Sequence, residues 1–239
     1  MANLTQLRML ESLNGFLLVD KPAGIAFSTV VKTVKRKFNL VKVGHGGSLD
    51  AAASGLFILL INDANKYTAE VMGADRAYTG VMRLGVKTNT HDIQGEEIGT
   101  ADISAVTSEK VSAAAASMRG DIFQTEPRFC SVRREGSAAY EIADTGEHGQ
   151  FMAHVYRFAV TSFEPPRAAF EISGTKGLLV RTLVNDVGEE LGCGAALESL
   201  RRVRIGKFTV DQAVQFEKLL ETEMKDFSSC VMPLGAALL

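Results

Sequence analysis

The longest apolar run in the chain, residues 55–61, follows directly on a glycine-rich stretch, Val43-Gly44-His45-Gly46-Gly47-Ser48-Leu49-Asp50-Ala51-Ala52-Ala53-Ser54-Gly55. This junction limits the available folds more than any other feature. The run is far below the ~20 residues that cross a bilayer as a helix, so it reads as a buried strand or a short helix in a globular core. The stretch before it is a loop of glycines and small residues that presents one histidine and one aspartate. It is not a phosphate-binding P-loop, because no Gly-Lys-Ser/Thr follows.

Around this junction the pattern alternates irregularly between strand and helix. Residues 15–20 (Phe16, Leu17, Leu18, Val19) read as a buried strand that stops at the turn-forming Lys21-Pro22-Ala23-Gly24. Val30, Val31, Val34 and Phe38 recur at helical spacing over residues 28–38. A helix is predicted over 64–72, a strand over 77–84, and an alanine-rich helix over 111–118. Residues 86–100 are polar and turn-rich, and 124–150 form a long, weakly patterned stretch of the kind that is more often functional than accidental. Strands follow at 151–163 and 168–172, then a helix at 178–191 ending at Gly192, and a short helix with an apolar tail in the final residues. With no internal repeat and no low-complexity linker, one α+β domain over residues 1–239 is expected.

Of the 239 residues 46% are hydrophobic and only 5 are proline, which suits a packed core and excludes a disordered chain. Lys and Arg number 26 against 28 Asp and Glu, so a uniformly basic nucleic-acid binder is excluded. The cations are instead clustered: residues 31–42 hold Lys32, Lys35, Arg36, Lys37 and Lys42 and no acid. Such a face can track a phosphate backbone, although a merely solvated helix face is as good a reading at this point. Cys130, Cys193 and Cys230 suit neither a disulfide framework nor a zinc site, and residues 1–14 lack a secretory signal pattern. These features point to the cytoplasm, with no membrane segment.

Three residues stand where a chain can expose chemistry: Asp50 in the glycine-rich loop, Tyr78 at a strand start and Arg181 near a helix start. Singly each is ambiguous, since aspartate caps helices, strand tyrosines fill cores and arginines near helix ends usually face solvent. His45, His91, His148 and His154 lack the spacing of metal ligands.

Read together, the motifs resemble the TruB family of tRNA pseudouridine synthases, which isomerise the uridine of the TΨC loop. The resemblance rests on Val19-Asp20-Lys21-Pro22-Ala23-Gly24, Gly44-His45-Gly46-Gly47-Ser48-Leu49-Asp50 with Ser54-Gly55, and Tyr78. It continues through Arg83-Leu84-Gly85 with Thr88, Thr90 and Asp92, then Gly136 and Tyr140, then Lys176-Gly177 with Val180-Arg181-Thr182. It ends with Leu191-Gly192-Cys193-Gly194-Ala195 and Leu200-Arg201-Arg202, so the match spans about residues 15–208.

The resemblance implies the pseudouridine synthase fold, a mixed and mostly antiparallel sheet flanked by helices and loops. It implies an isomerase that needs no cofactor and no metal, with tRNA as partner, no obligate protein partner and a monomeric state. Asp50 corresponds to the family's essential carboxylate, Tyr78 to the ring that stacks on the extruded uracil, and Arg181 to the arginine that pairs with the aspartate. His45 matches the residue that fills the gap left by the flipped base, and Leu200 an apolar wall of the uracil pocket. Lys21 and Asp92 match motif positions near the site, where a structural role is equally open. The RNA-facing surface implied is the basic helix, the arginines of 128–134, and Arg201 with Arg202. Residues 124–150 stand where the family carries an RNA-gripping insertion, and the longer members' C-terminal PUA-type domain has no counterpart after residue 208.

The chain departs from the family pattern at several positions. Ala51 replaces the usual proline after the aspartate, Ala26-Phe27 the usual Thr-Ser, and Asn89 and Asp144 the usual Asp and Arg. Leu179 stands in place of a tyrosine beside the active-site arginine, which removes a ring and a hydroxyl from the uracil pocket. Leu179 and Ala51 suggest one alternative, an RNA-binding chaperone with little turnover, and an isomerase of another RNA is a further one.

Overall fold

The computed structural model describes residues 13–125, 129–132, 141–144 and 149–237. Residues 1–12, Arg128, Arg133, Arg134, Gly136, Tyr140 and His148, all used in the sequence reading, lie outside them. The chain divides into two compact units, residues 1–74 with 202–239 and residues 75–201.

In the first unit, β1 (Gly15–Lys21) leads through a turn to helix α1 (Phe27–Lys37), then β2 (Val43–His45) and β3 (Ser54–Ile61). β1 and β3 pair antiparallel from Gly15 opposite Ile61 to Lys21 opposite Gly55. Every apolar residue of both strands is buried. Antiparallel strands usually alternate, but a sheet covered on both faces gives a continuous apolar run instead. One face packs Phe16, Leu18, Leu56, Ile58 and Leu60 into a cluster with Ile205 and Phe208. Phe27 at the start of α1 sits 5.9 Å from the Phe57 ring, and Phe38, which caps its C-terminus, stacks on Phe227 with centroids 3.8 Å apart.

The predicted helix at 64–72 is instead a 3-10 turn (Asn62–Tyr67) followed by the short α2 (Thr68–Gly73). The Asn65 side chain donates to the carbonyls of Leu60 and Asn62, and Asn62 has a left-handed φ of 49°. Local side-chain bonds of this kind compete with the α-helical ladder.

In the second unit, β4 (Arg76–Leu84) is followed by the short pair β5 (Val86–Thr88) and β6 (Glu97–Thr100), helix α3 (Ser108–Ser117) and β7 (Gly120–Gln124). The pair β8 (Phe129–Val132) and β9 (Glu141–Asp144) precedes the long strands β10 (Phe151–Glu164) and β11 (Arg167–Gly174). Helix α4 (Val180–Glu190) and β12 (Ala195–Ile205) complete this unit, and the boundary at residue 201 falls within β12. The sheet order here is β12-β4-β11-β10-β7. Its core joins Met82, Phe158 and Phe170 of the strands to Val111 of α3 and Leu183 and Val187 of α4. The β5–β6 and β8–β9 pairs fall in stretches read from sequence as turn-rich or weakly patterned. At three or four residues each, they are too short to show a period.

The chain then returns to the first unit with β13 (Phe208–Thr209), β14 (Val214–Gln215), α5 (Phe216–Glu221) and β15 (Met232–Pro233). β14 adds to β1 in parallel and β15 adds to it antiparallel. The sheet is thus mixed and mostly antiparallel, in the α+β class the sequence implied. Among the described residues no helix is long and apolar enough to cross a membrane.

Candidate active site

The aspartate loop of the first unit is held by its backbone. Gly24 N–H donates to the Ala51 carbonyl at 2.7 Å, Ala53 N–H to the Asp50 carbonyl at 3.1 Å, and Gly46 N–H to the Ile58 carbonyl at 2.9 Å. Two cations complete the framework. Lys21, 0% exposed, donates to the carbonyls of Pro22 and Ile25 at 2.9 Å and of Ala51 at 3.3 Å. Arg202, 2% exposed, donates from Nε to Leu56 and from Nη1 to Ser48, both at 2.8 Å. Gly55 has φ +100°, and a Cβ there would collide with the Arg202 backbone, so only glycine lets the loop enter β3 at this point.

Within this framework Leu49 is buried and Asp50 is exposed. The carboxylate therefore faces solvent from a backbone whose carbonyls at residues 48, 50 and 51 are all engaged. Burial pushes the Lys21 ammonium down to about 8, the Asp50 carboxylate pushes it back up, and the Arg202 guanidinium lowers it further. Lys21 thus feels both neighbours while its hydrogen bonds tie the Pro22–Ile25 turn to the aspartate loop. Arg202 requires a correction: expected on an RNA-facing surface beside Arg201, it is buried, because its guanidinium serves the Ser48 carbonyl of the loop and the Leu56 carbonyl of β3. His45 lies between aromatic rings, 5.2 Å from Phe27 and 5.9 Å from Phe57, and its Nδ1 has no hydrogen-bond partner. Lys32, Lys35, Arg36 and Lys42 are exposed, as a phosphate-tracking face requires.

The second unit carries the other predicted residues. Tyr78 lies on β4 opposite Ile172 of β11 and is 7% exposed within the core cluster, against which Leu200 also packs. A Cβ at neighbouring Gly80 would run into the Phe170 ring and the Ser199 carbonyl, so the strand approaches β12 closely here. Arg181 is the second residue of α4, and its Nη1 lies 3.8 Å from the Asp92 carboxylate, both side chains being 14% exposed. Asp92 is fixed in turn: its Oδ1 accepts from Thr90 Oγ1 and from Gln94 N–H, each at 3.0 Å. Its carbonyl accepts from Thr88 Oγ1 at 2.7 Å. The turn itself is tied to β12 by Leu197 N–H to the His91 carbonyl and Ile93 N–H to the Leu197 carbonyl. Burial and then the Arg181 cation hold His91 below the ordinary imidazole range, with Glu189 opposing.

Leu179 caps α4 without a side-chain cap bond, and its backbone is held by Gln124. Sequence reading passed over Gln124. The only signal available was a polar residue at the end of a short strand, which has no meaning until its partner is known.

The family model described as TruB family pseudouridylate synthase, N-terminal domain, matches residues 35–180. The model of the tRNA pseudouridylate synthase B C-terminal domain matches residues 181–239. The tRNA pseudouridine synthase B of Pseudomonas aeruginosa is 37% identical over 215 residues, covering 89% of this chain and 70% of that protein. The protein of the same description from Burkholderia pseudomallei is 36% identical over 232 residues, 95% of this chain and 76% of that protein. Among solved structures, the archaeal box H/ACA sRNP Nop10–Cbf5 complex superposes with TM-score 0.71 at 22% identity, and a Cbf5–Nop10–Gar1 complex with TM-score 0.74 at 23%. Each covers 97% of this chain, which spans 63% of those chains, and at that identity the likeness concerns the fold. Two family models that together run from residue 35 to residue 239, and relatives above one-third identity, place the chain in the TruB family of pseudouridylate synthases.

Proposed function

We propose that the chain isomerises the TΨC-loop uridine of tRNA to pseudouridine, acting in the cytoplasm on tRNA. The observation that carries this reading is the exposed Asp50 on a loop braced by two buried cations. The reaction breaks the C1′–N1 bond, turns the uracil and forms C1′–C5. C5 gives up a proton and N1 gains one, so no electron acceptor is needed.

Asp50 supplies the ionised carboxylate, either as a nucleophile toward sugar or ring or by assisting a glycal intermediate. A braced backbone keeps that group aimed without the cost of ordering it during reaction. The target base must leave its stack, at a cost of a few kcal/mol, and an aromatic ring returns ~1–3 kcal/mol of stacking. Tyr78 supplies that ring, and its hydroxyl can take a proton, which a phenylalanine cannot. Arg181 supplies a guanidinium for charge on the reacting groups, with Asp92 fixing its direction. His45 and Leu200 offer imidazole and apolar contacts to the displaced and bound bases. Lys32, Lys35, Arg36 and Lys42 offer the phosphate-facing charge.

Incubation with tRNA tritiated at uracil C5 tests the reading. Native protein is expected to release tritium and Asp50→Asn to release none, with no release from a tRNA lacking the target uridine. Binding without release by the native protein would make it an RNA chaperone instead.

A further inference from the structure

Gln124 ends β7 at the edge of the second unit's sheet, yet it is 2% exposed while the residues before it in the strand are exposed or half-buried. Its carboxamide makes a reciprocal pair with a single residue: Oε1 accepts from Leu179 N–H and Nε2 donates to the Leu179 carbonyl, both at 3.0 Å. The two bonds hold the peptide groups on either side of the Leu179 Cα, as a neighbouring strand would, and so fix the backbone dihedrals of Leu179. The same carbonyl accepts the first bond of α4, from Leu183 N–H at 3.2 Å. The turn before it is anchored separately, since Thr175 N–H donates to the His154 carbonyl and His154 N–H to Thr175 Oγ1, each at 2.9 Å.

Leu179 is the helix cap, and Arg181 is the second helical residue after it. The rotation of the cap thus sets the direction in which the Arg181 side chain leaves the helix. Its ion pair with Asp92 is already long at 3.8 Å, and Asp92 cannot follow because Thr88, Thr90, Gln94 and Gly95 all donate hydrogen bonds to it. We propose that Gln124 is a positioning residue for the reaction, clamping the Leu179 backbone so that Arg181 stays aimed. The inference rests on the isomerase reading for its consequence in rate, and on geometry alone for the clamp.

Gln124→Leu and Gln124→Glu, compared with native protein, provide the test. For Gln124→Leu we expect tritium release at saturating tRNA to slow by ~100-fold, the scale of an active-site misplacement, with tRNA affinity kept within about threefold. Gln124→Glu keeps the bond from Leu179 N–H but sets a carboxylate against the Leu179 carbonyl. Its rate, relative to native, is expected to rise as pH falls and the carboxyl regains a proton to donate. A role in packing alone would not produce that acid-side recovery. The Arg181 Nε–Hε resonance, measured without RNA, is expected to shift in Gln124→Leu. Native rate in both variants, a rate loss matched by lost affinity with no acid-side recovery, or an unmoved Arg181 resonance would each overturn the proposal. Absence of release by the native protein would count against the isomerase reading, while the resonance would still decide the clamp.

Discussion

At the scale of single residues, the charged groups of the motifs differ in whether the backbone engages them. Lys21 is engaged: an ammonium with no exposed surface and three carbonyl partners in two loop segments. Bonds from a charged donor are worth ~1.5–3 kcal/mol, offset in part by the cost of burying the charge. Lys21→Met is therefore expected to destabilise the protein by about 2 kcal/mol and to slow turnover more than it weakens tRNA binding. The pH dependence has a definite sign. The folded protein releases this proton at about 8, whereas the unfolded chain keeps it to about 10.5. Between those values the unfolded state binds more protons, so the lysine's contribution to stability rises with pH. Urea unfolding of native and Lys21→Met at about pH 7.5 and about pH 9.5 should show the native advantage larger at the higher pH, and an unchanged difference would contradict this. Tyr78→Phe separates the two uses proposed for this side chain. Stacking survives and the hydroxyl does not, so tRNA binding should persist while most turnover is lost. Full activity would remove the tyrosine from proton transfer.

At the scale of elements, α1 shows what a periodic pattern reveals and what it hides. Val30 and Val34 at helical spacing, with cations on the remaining positions, made the helix legible, and it begins one residue earlier than predicted. Its capping was legible only as a departure: Ala26 takes the extended cap conformation, φ −65° and ψ 140°, with no side-chain bond to the first turn. Replacing an alanine cap by serine typically gains ~1 kcal/mol. Ala26→Ser should raise the urea midpoint by that amount without changing the slope. The same helix ends in Lys35, Arg36 and Lys37, a placement the helix dipole favours even without RNA. Lys35→Gln with Arg36→Gln decides whether the face also binds tRNA. Each lost phosphate contact should lower the slope of log affinity against log salt by about 0.7 to 0.9, while an unchanged slope would leave the helix a solvated face. The short β5, β6, β8 and β9 escaped prediction because three or four residues carry no period.

At the scale of the whole molecule, the sequence order conceals which segments fold together. Motif spacing identified the family, and strand and helix patterns identified most elements, but no local pattern shows that β1 takes partners from residues 214–215 and 232–233. The buried aromatic residues tell the same story, since Phe208 joins the cluster of Phe16 and Phe227 stacks on Phe38. Loss of one buried phenylalanine costs ~3–5 kcal/mol against a typical total stability of ~5–15 kcal/mol. Truncation after residue 205 removes Phe208, Phe216 and Phe227 together, along with both added strands of β1. The first unit cannot survive that loss. Residues 75–201 are contiguous, and their core cluster draws on no residue beyond 200. Hydrogen exchange of the truncated chain should therefore show the β1 and β3 amides unprotected and those of β4, β10 and β11 still protected. Protection retained in β1 and β3 would mean that the aspartate loop folds without the C-terminal segment. Its bracing would then depend on Lys21 and Arg202 alone.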